Sequence, residues 1–143
     1  MKRLFYTSNT MHYHKEDGKK VANAFDNHHH ILEQLKARLY KNDHLLFICS
    51  NPDSHQINDE YARLLYEGLC LSNIPFKECH ILDSRTSSYT NKYIDQADLI
   101  FLCGGDPYVQ NEYFKSIHLK QLLKDYDGII MGQSAGSINL ADD

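Results

Sequence analysis

Apolar residues follow two alternating patterns along this chain. Continuous apolar runs at residues 4–6, 45–49, 99–103 and 128–131 are typical of strands that are buried on both faces. Between them, apolar residues recur with the period of amphipathic helices over residues 24–40, 57–69 and 109–126. A weaker, alternating run at residues 76–82 predicts a strand near the sheet edge. The pattern therefore predicts an α/β fold, with a mostly parallel sheet covered by helices on both faces.

Polar segments and capping signals divide these elements. The polar stretch at residues 8–20 predicts a loop, and a Ser/Thr-rich loop at residues 84–90 precedes a short helix around residues 93–97. Asp106 followed by Pro107 predicts a helix start, because aspartate caps well and proline fits the first helical position. That helix is expected to break near His118. Without an internal repeat or linker, residues 1–143 are predicted to form one domain.

Composition narrows the class of protein. The hydrophobic fraction of 42% and the charged fraction of 24% are ordinary for a globular protein. A net charge of −4, with scattered Lys and Arg, argues against a nucleic-acid or anionic-membrane partner. No apolar stretch reaches the ~18 residues of a membrane span, and the N-terminus lacks the apolar region of a signal peptide. The four cysteines form no C-x-x-C pair, so we expect a cytoplasmic protein with reduced thiols.

The most informative motif is a G-x-S-x-G segment around Ser134, at residues 132–136. It follows an apolar strand, as in a nucleophile elbow, where small residues permit a sharp turn that presents the serine hydroxyl. In open α/β sheets, functional residues gather at the carboxyl ends of the strands. Ser134 would attack a carbonyl, with the backbone N–H of Ala135 facing the oxyanion and the Gly104-Gly105 pair offering a second donor. Other polar residues at predicted strand ends are Ser8, Ser50, Asn51 and Asp83.

Each candidate residue also has a structural interpretation. The pair Gly104-Gly105 is typical of a tight turn, and Asp106 is a helix cap first and a substrate contact second. Cys103 is a conceivable thiol nucleophile, but its apolar run favours a packed core cysteine. Histidines cluster at residues 12–14 and 28–30 without the ligand spacing of a closed zinc site. We therefore expect no metal and no cofactor.

Three segments together resemble the peptidase E (aspartyl dipeptidase) family, a serine-hydrolase branch of the class I glutamine amidotransferase-like fold. They are ADLIFLCGGD at residues 97–106, QNEYF at 110–114 and YDGIIMGQSAGSIN at 126–139. The resemblance implies a flavodoxin-like, three-layer α/β/α arrangement and hydrolysis of short peptides. It also implies Ser134 as the nucleophile and an oxyanion hole from the backbone amides of Gly105 and Ala135. Substrate contacts would come from Gly104, Asp106 and Gln133.

The chain departs from that family at two points. Asp106 stands where peptidase E has an asparagine, and a carboxylate there would disfavour an acidic substrate, so aspartyl specificity does not follow. The family's catalytic histidine and its acidic partner follow the serine, whereas no histidine follows Ser134 here. A serine without a base is a poor nucleophile. The histidines near predicted strand ends are possible substitutes, and their spacing favours none: His12, His14, His55 and His80.

These observations leave two functions open. The first is a peptidase E-like serine hydrolase domain that is incomplete at its C-terminus, inactive or nearly so, and prone to self-association through uncovered apolar surface. The second is a non-catalytic domain that binds a small ligand or a peptide at the same glycine-rich rim. A class I amidotransferase is disfavoured, because that chemistry would need cysteine in place of Ser134.

Overall fold

The computed structural model describes residues 3–7, 13–25 and 30–133. Within these residues the strands are β1 Arg3–Thr7, β2 Tyr13–Glu16, β3 Lys19–Ala22, β4 His44–Ile48, β5 Glu78–Leu82, β6 Leu99–Leu102 and β7 Ile129–Gln133. The helices are α1 Ile31–Arg38, α2 His55–Leu71, α3 Thr90–Gln96, α4 Pro107–Ser116 and α5 Leu119–Lys124, and a 3-10 turn spans Ser87–Tyr89. From α1 onwards, their order confirms the predicted alternation of strands and helices.

Five strands form one sheet in the order β1-β7-β6-β4-β5, and every neighbouring pair is parallel. The interior strands β4, β6 and β7 have continuous apolar runs because both of their faces are buried. Strand β1, which contains the apolar run at residues 4–6, lies at one edge of the sheet. The alternating strand β5 lies at the edge, as its pattern predicted. The α/β fold class is thus confirmed.

Helices cover both faces of the sheet, and the two sides of β5 show this directly. Successive strand residues point to opposite faces. Ile81 lines a cavity with Asp59 and Arg63 of α2, whereas its neighbour His80 stacks on Tyr93 of α3 with ring centroids 4.8 Å apart. Helices α2 and α3 therefore lie on opposite faces, which gives the three-layer α/β/α arrangement.

The core is built across the register between β4 and β6. Phe47 pairs with Phe101, and their rings stack with centroids 6.3 Å apart. Both side chains are almost completely buried. Burial of such residues provides most of the favourable free energy of folding, since apolar area removed from water contributes about 25 cal/mol per Å².

The stretch predicted as a loop at residues 8–20 contains a β-hairpin in its described part, so that prediction was wrong there. Strands β2 and β3 pair antiparallel around Asp17 and Gly18, both of which have positive φ, 50° and 78°. Asp-Gly is the preferred pair for such a two-residue turn, and this local signal outweighs the polar composition. The hairpin packs on α2, where Lys20 Nζ lies 2.8 Å from Glu60 Oε1.

Three further boundaries refine the prediction. Helix α1 begins at Ile31 rather than near residue 24, and residues 23–25 are not helical. Strand β7 extends to Gln133, two residues beyond the predicted end. Asp106 caps α4 as predicted, and the expected break lies at His118, whose left-handed backbone (φ 55°) separates α4 from α5. In the part of the chain that the structure describes, no helix has the length and apolar character needed to cross a membrane.

Substitution of Phe101 by alanine tests the core packing. Phe101→Ala should lower the free energy of unfolding by about 3–5 kcal/mol, because it leaves a cavity against Phe47 at the centre of the sheet. The matched control is Tyr40→Ala, whose fully exposed side chain should change stability by less than about 0.5 kcal/mol. Urea unfolding measures both, and equal effects would contradict this assignment of the core.

Candidate ligand site at the carboxyl ends of β4, β6 and β7

The order of the strands creates a crevice between β4 and β6. From β4 the chain passes through α2 to β5 on one side, whereas from β6 it passes through α4 and α5 to β7 on the other. The two connections leave in opposite directions, and the carboxyl ends of the strands separate where they diverge. In open α/β sheets, ligands bind at such a switch point.

A cavity of about 360 Å³ occupies this crevice. Its wall combines apolar side chains with a few polar groups from β4, α2, β6 and β7, as in small-ligand sites. The lining residues are Phe47, Ser50, Ile57, Asn58, Tyr61, Cys103, Gly104, Gly105 and Gln133. The structure thus brings Gly104, Gly105 and Gln133 of the predicted site together.

Gly105 approaches Ser50 so closely that no side chain fits between them. A Cβ placed on Gly105 would lie 2.6 Å from Ser50 Cβ, a distance at which one of the two segments must move. Glycine at this position therefore lets the loop after β6 lie against the loop after β4. The backbone of Gly105 forms part of the cavity wall as a result.

The side chain of Gln110, in α4, hydrogen-bonds to the backbone at the ends of both β4 and β6. Its side chain is completely buried, and Nε2 donates to the carbonyl oxygens of Cys103 at 2.6 Å and Cys49 at 3.3 Å. These carbonyls lie just beyond β6 and β4, and buried carbonyls need hydrogen-bond partners. Gln110 thereby fixes the spacing of the crevice, a role that its position in a helical pattern did not reveal.

Gln133 contributes an unsatisfied acceptor to the cavity. Its Oε1 atom is buried and accepts no hydrogen bond among the described residues. An unpaired buried acceptor costs about 1–3 kcal/mol, so a ligand that donates an N–H or O–H group here would recover that free energy. The side chain of Gln133 is therefore suited to contact a polar ligand.

A buried ionic network supports the crevice beside β5. The Asp83 side chain is fully buried and accepts hydrogen bonds from Arg85 and from Asn58 Nδ2, the latter at 3.2 Å. Burial alone raises the pKa of the Asp83 carboxyl, but the hydrogen bonds from Arg85 and Asn58 outweigh it and hold that pKa below its ordinary value. Asn58 also donates to the carbonyl of Asn51, so it connects the network to the cavity wall.

The thiols near the cavity are not activated. Burial raises the pKa of Cys103 to about 12, and burial also raises the pKa of Cys49. Both remain neutral thiols near pH 7, whereas a cysteine nucleophile needs a lowered pKa. Cys103 is therefore a packed cysteine, in agreement with its apolar run.

The remaining predicted site residues either do not line the cavity or lie outside the residues that the structure describes. Ser134 and Ala135 lie outside the described residues. Asp106 is exposed and is not part of the cavity lining; its Oδ1 accepts from the backbone N–H of Tyr108 at 2.9 Å, as a helix cap does. Four lining residues were not among the predicted site residues: Phe47 on β4, and Ile57, Asn58 and Tyr61 on α2. Apolar runs and helical periods predict the elements but carry no signal for a site.

The described histidines that were considered as substitute bases lie in different parts of the fold. His55, at the start of α2, lies at the carboxyl edge, with Nε2 2.7 Å from Ser84 Oγ. His14 lies in the exposed hairpin beside Glu16. His80 lies inside β5, stacked between His44 and Tyr93. His12 lies outside the described residues.

A second, larger cavity of about 480 Å³ lies at the opposite edge of the sheet. Ala97 and Asp98 line it just before β6, and Gly128 just before β7. It therefore opens at the amino ends of the strands, where the fold does not favour a ligand site. The smaller cavity is the better candidate.

No protein-family model matches this chain, and no curated protein matches it.

The contact between Gly105 and Ser50 can be tested with a double-mutant cycle. Gly105→Ala should lower the free energy of unfolding by about 1–3 kcal/mol, since the added methyl overlaps Ser50. In the Ser50→Gly background the same substitution should cost less, because the overlapping atoms are gone. Urea unfolding of the four proteins measures the coupling, and strictly additive effects would rule out the close approach.

The Asp83 network predicts a pH dependence of stability. Because its folded-state pKa lies below the unfolded value of about 3.9, Asp83 stabilises the protein above that value and loses this contribution as the pH falls through the folded-state pKa. Asp83→Asn should therefore flatten the fall in unfolding free energy below about pH 4. Arg85→Gln should make that fall smaller, because loss of the Arg85 hydrogen bonds raises the folded-state pKa of Asp83 towards the unfolded value. Identical pH profiles for all three proteins would contradict the assignment.

Proposed function

We propose that this chain is a serine hydrolase domain of the peptidase E-like type, acting on short peptides through Ser134. One observation carries the proposal: β7 ends at Gln133 in the wall of the switch-point cavity, opposite the Gly104-Gly105 loop. Ser134 is the next residue of the chain. The motif is thus attached to the part of the sheet where such chemistry is found in α/β folds.

The roles follow from acyl-transfer chemistry. The hydroxyl of Ser134 attacks the peptide carbonyl, and the backbone amides of Gly105 and Ala135 stabilise the oxyanion. Each donor of this kind typically lowers the barrier by about 3 kcal/mol. Gly104 leaves space for the substrate backbone, and the unpaired oxygen of Gln133 accepts a substrate N–H.

Two observations bear on the substrate. The cavity volume of about 360 Å³ is near the lower end of the range for small-ligand sites, which favours a short peptide over a folded protein. Asp106 follows the glycine pair in the sequence, at the position where the peptidase E family has an asparagine. For this reason an N-terminal aspartate is not proposed as the preferred residue.

Activation of the serine is the weak step in this chain. All nine histidines precede Ser134 in the sequence, and the described histidine at the carboxyl edge, His55, donates to or accepts from Ser84. A serine hydroxyl that no base activates has low nucleophilicity. Turnover by this chain should be slow, and added imidazole should raise it.

The second candidate function is non-catalytic binding of a small ligand or peptide end in the same cavity. The buried, unpaired oxygen of Gln133 favours it, since a bound donor would satisfy that atom without any reaction.

The four free cysteines, of which Cys49 and Cys103 are buried, support a reducing compartment for either function, and we propose the cytoplasm.

Covalent labelling of Ser134 tests the proposal. A fluorophosphonate probe should modify wild-type protein at Ser134, identified by peptide mass spectrometry, and imidazole should accelerate the reaction. Labelling of the Ser134→Ala variant should be at least tenfold weaker than labelling of the wild type. The matched control is Ser88→Ala, an exposed serine in the 3-10 turn, which should label as wild type does.

The two candidate functions give different results in this experiment. Absence of an adduct at Ser134, with or without imidazole, would overturn the hydrolase proposal. If short peptides then bound wild-type protein and Ser134→Ala with equal affinity, the binding function would be supported instead.

A further inference from the structure

We propose that His44, Glu78 and His80 form a binding site for a divalent transition-metal ion, with zinc as the best-suited ion. The site lies on the edge strand β5 and its neighbour β4, near their amino ends and away from the switch-point cavity. It is therefore independent of the proposed hydrolase function.

The strand register brings the three side chains to one face of the sheet. His44 pairs directly with Glu78, and Leu46 pairs with His80. Residues two apart in a strand share a face, so Glu78 and His80 point the same way and His44 lies beside both. The ligands come from two strands that are distant in sequence, which is why spacing alone predicted no metal site.

The distances suit a small cation. His44 Nδ1 and His80 Nε2 lie 3.0 Å and 3.4 Å from the same carboxylate oxygen, Oε2 of Glu78. All three ligand atoms lie within 4.8 Å of one another. Ligands at 2.0–2.1 Å from a tetrahedral zinc are about 3.3 Å apart, so both nitrogen–oxygen distances are close to those of a zinc site.

Hydrogen bonding does not account for these contacts. His44 Nδ1 and His80 Nε2 are buried atoms without a hydrogen-bond partner among the described residues, although both lie at ion-pair distance from Glu78. Two unpaired buried nitrogens that converge on one oxygen are costly in the absence of a ligand. A metal ion between them would accept both nitrogen lone pairs and the carboxylate charge together.

The surroundings hold these ligands in place. The His80 ring lies between Tyr93 and His44, with ring centroids 4.8 Å and 5.6 Å away. Asp98 fixes the backbone of His44: its Oδ2 accepts from the His44 amide at 3.0 Å, and its own amide donates to the His44 carbonyl at 2.8 Å. Ligands on packed strands with supported backbones lose little freedom when metal binds.

The donor set defines the class of metal. Two imidazoles and one carboxylate are the ligands of several zinc enzymes and suit borderline transition metals, whereas calcium and magnesium prefer oxygen ligands alone. The Glu78 side chain is 57% exposed, so water can fill the remaining coordination position. By joining β4 to β5, the ion would stabilise the edge of the sheet.

Zinc titration of the chain tests the site. Calorimetry should show zinc binding that Glu78→Gln and His44→Gln each weaken at least tenfold, and zinc should raise the melting temperature of the wild type but not of these variants. Cobalt(II) should give visible d–d absorption in the wild type that both variants lose. The matched control is His14→Gln, which disrupts another His–Glu pair, with Glu16, in the exposed hairpin and should leave binding unchanged.

Unfolding in urea without metal shows whether each variant folds. If His44→Gln does not fold, the zinc affinity of Glu78→Gln alone tests the site, because the exposed Glu78 side chain contributes least to packing. Zinc binding of equal affinity in wild type and Glu78→Gln would overturn the proposal, as would the absence of binding to the wild type.

Discussion

The buried amide of Gln110 holds together the place where the sheet changes direction. Strands β4 and β6 are neighbours, yet their following helices leave towards opposite sides, so the carbonyls just beyond both strands lose their ladder partners. Nε2 of Gln110 donates to both, at Cys49 and Cys103. The crevice above it therefore keeps a fixed width. The approach of Gly105 to Ser50 and the position of Gln133 in the cavity wall both depend on that width.

The two edges of the sheet carry different chemistry. At the carboxyl edge, polar groups of separate loops converge on a cavity, and the nearby thiols are kept neutral by burial. Near the amino ends of β4 and β5, imidazoles and a carboxylate lie on one face and are held by stacking and by Asp98. The volume of the first arrangement suits a small ligand, and we propose that the second binds a single ion. Because the sheet separates them, each can be altered without loss of the other.

Much of the fold could be predicted from local pattern, and much of the site could not. Continuous apolar runs predicted the interior strands, and Asp106 with Pro107 predicted the start of α4, because these signals act over a few residues. Strand order is non-local, so the roles of Gln110 and the His44–Glu78–His80 group were not predicted. The Asp17-Gly18 turn was a local signal that composition obscured. Gly105 was predicted from its position after a strand and Gln133 through the resemblance, whereas the contact between Gly105 and Ser50 required the structure.

The central proposal is that this chain acts at the switch-point cavity through Ser134, the residue that follows Gln133 in the sequence. Amide chemical-shift mapping with a short peptidyl boronic acid, which mimics the tetrahedral intermediate at a serine, tests it most directly. We predict shifts concentrated at Ser50, Gly105 and Gln133, together with a tetrahedral boron signal. Shifts confined to Ala97 and Gly128 at the opposite cavity, or no shifts at all, would contradict the account.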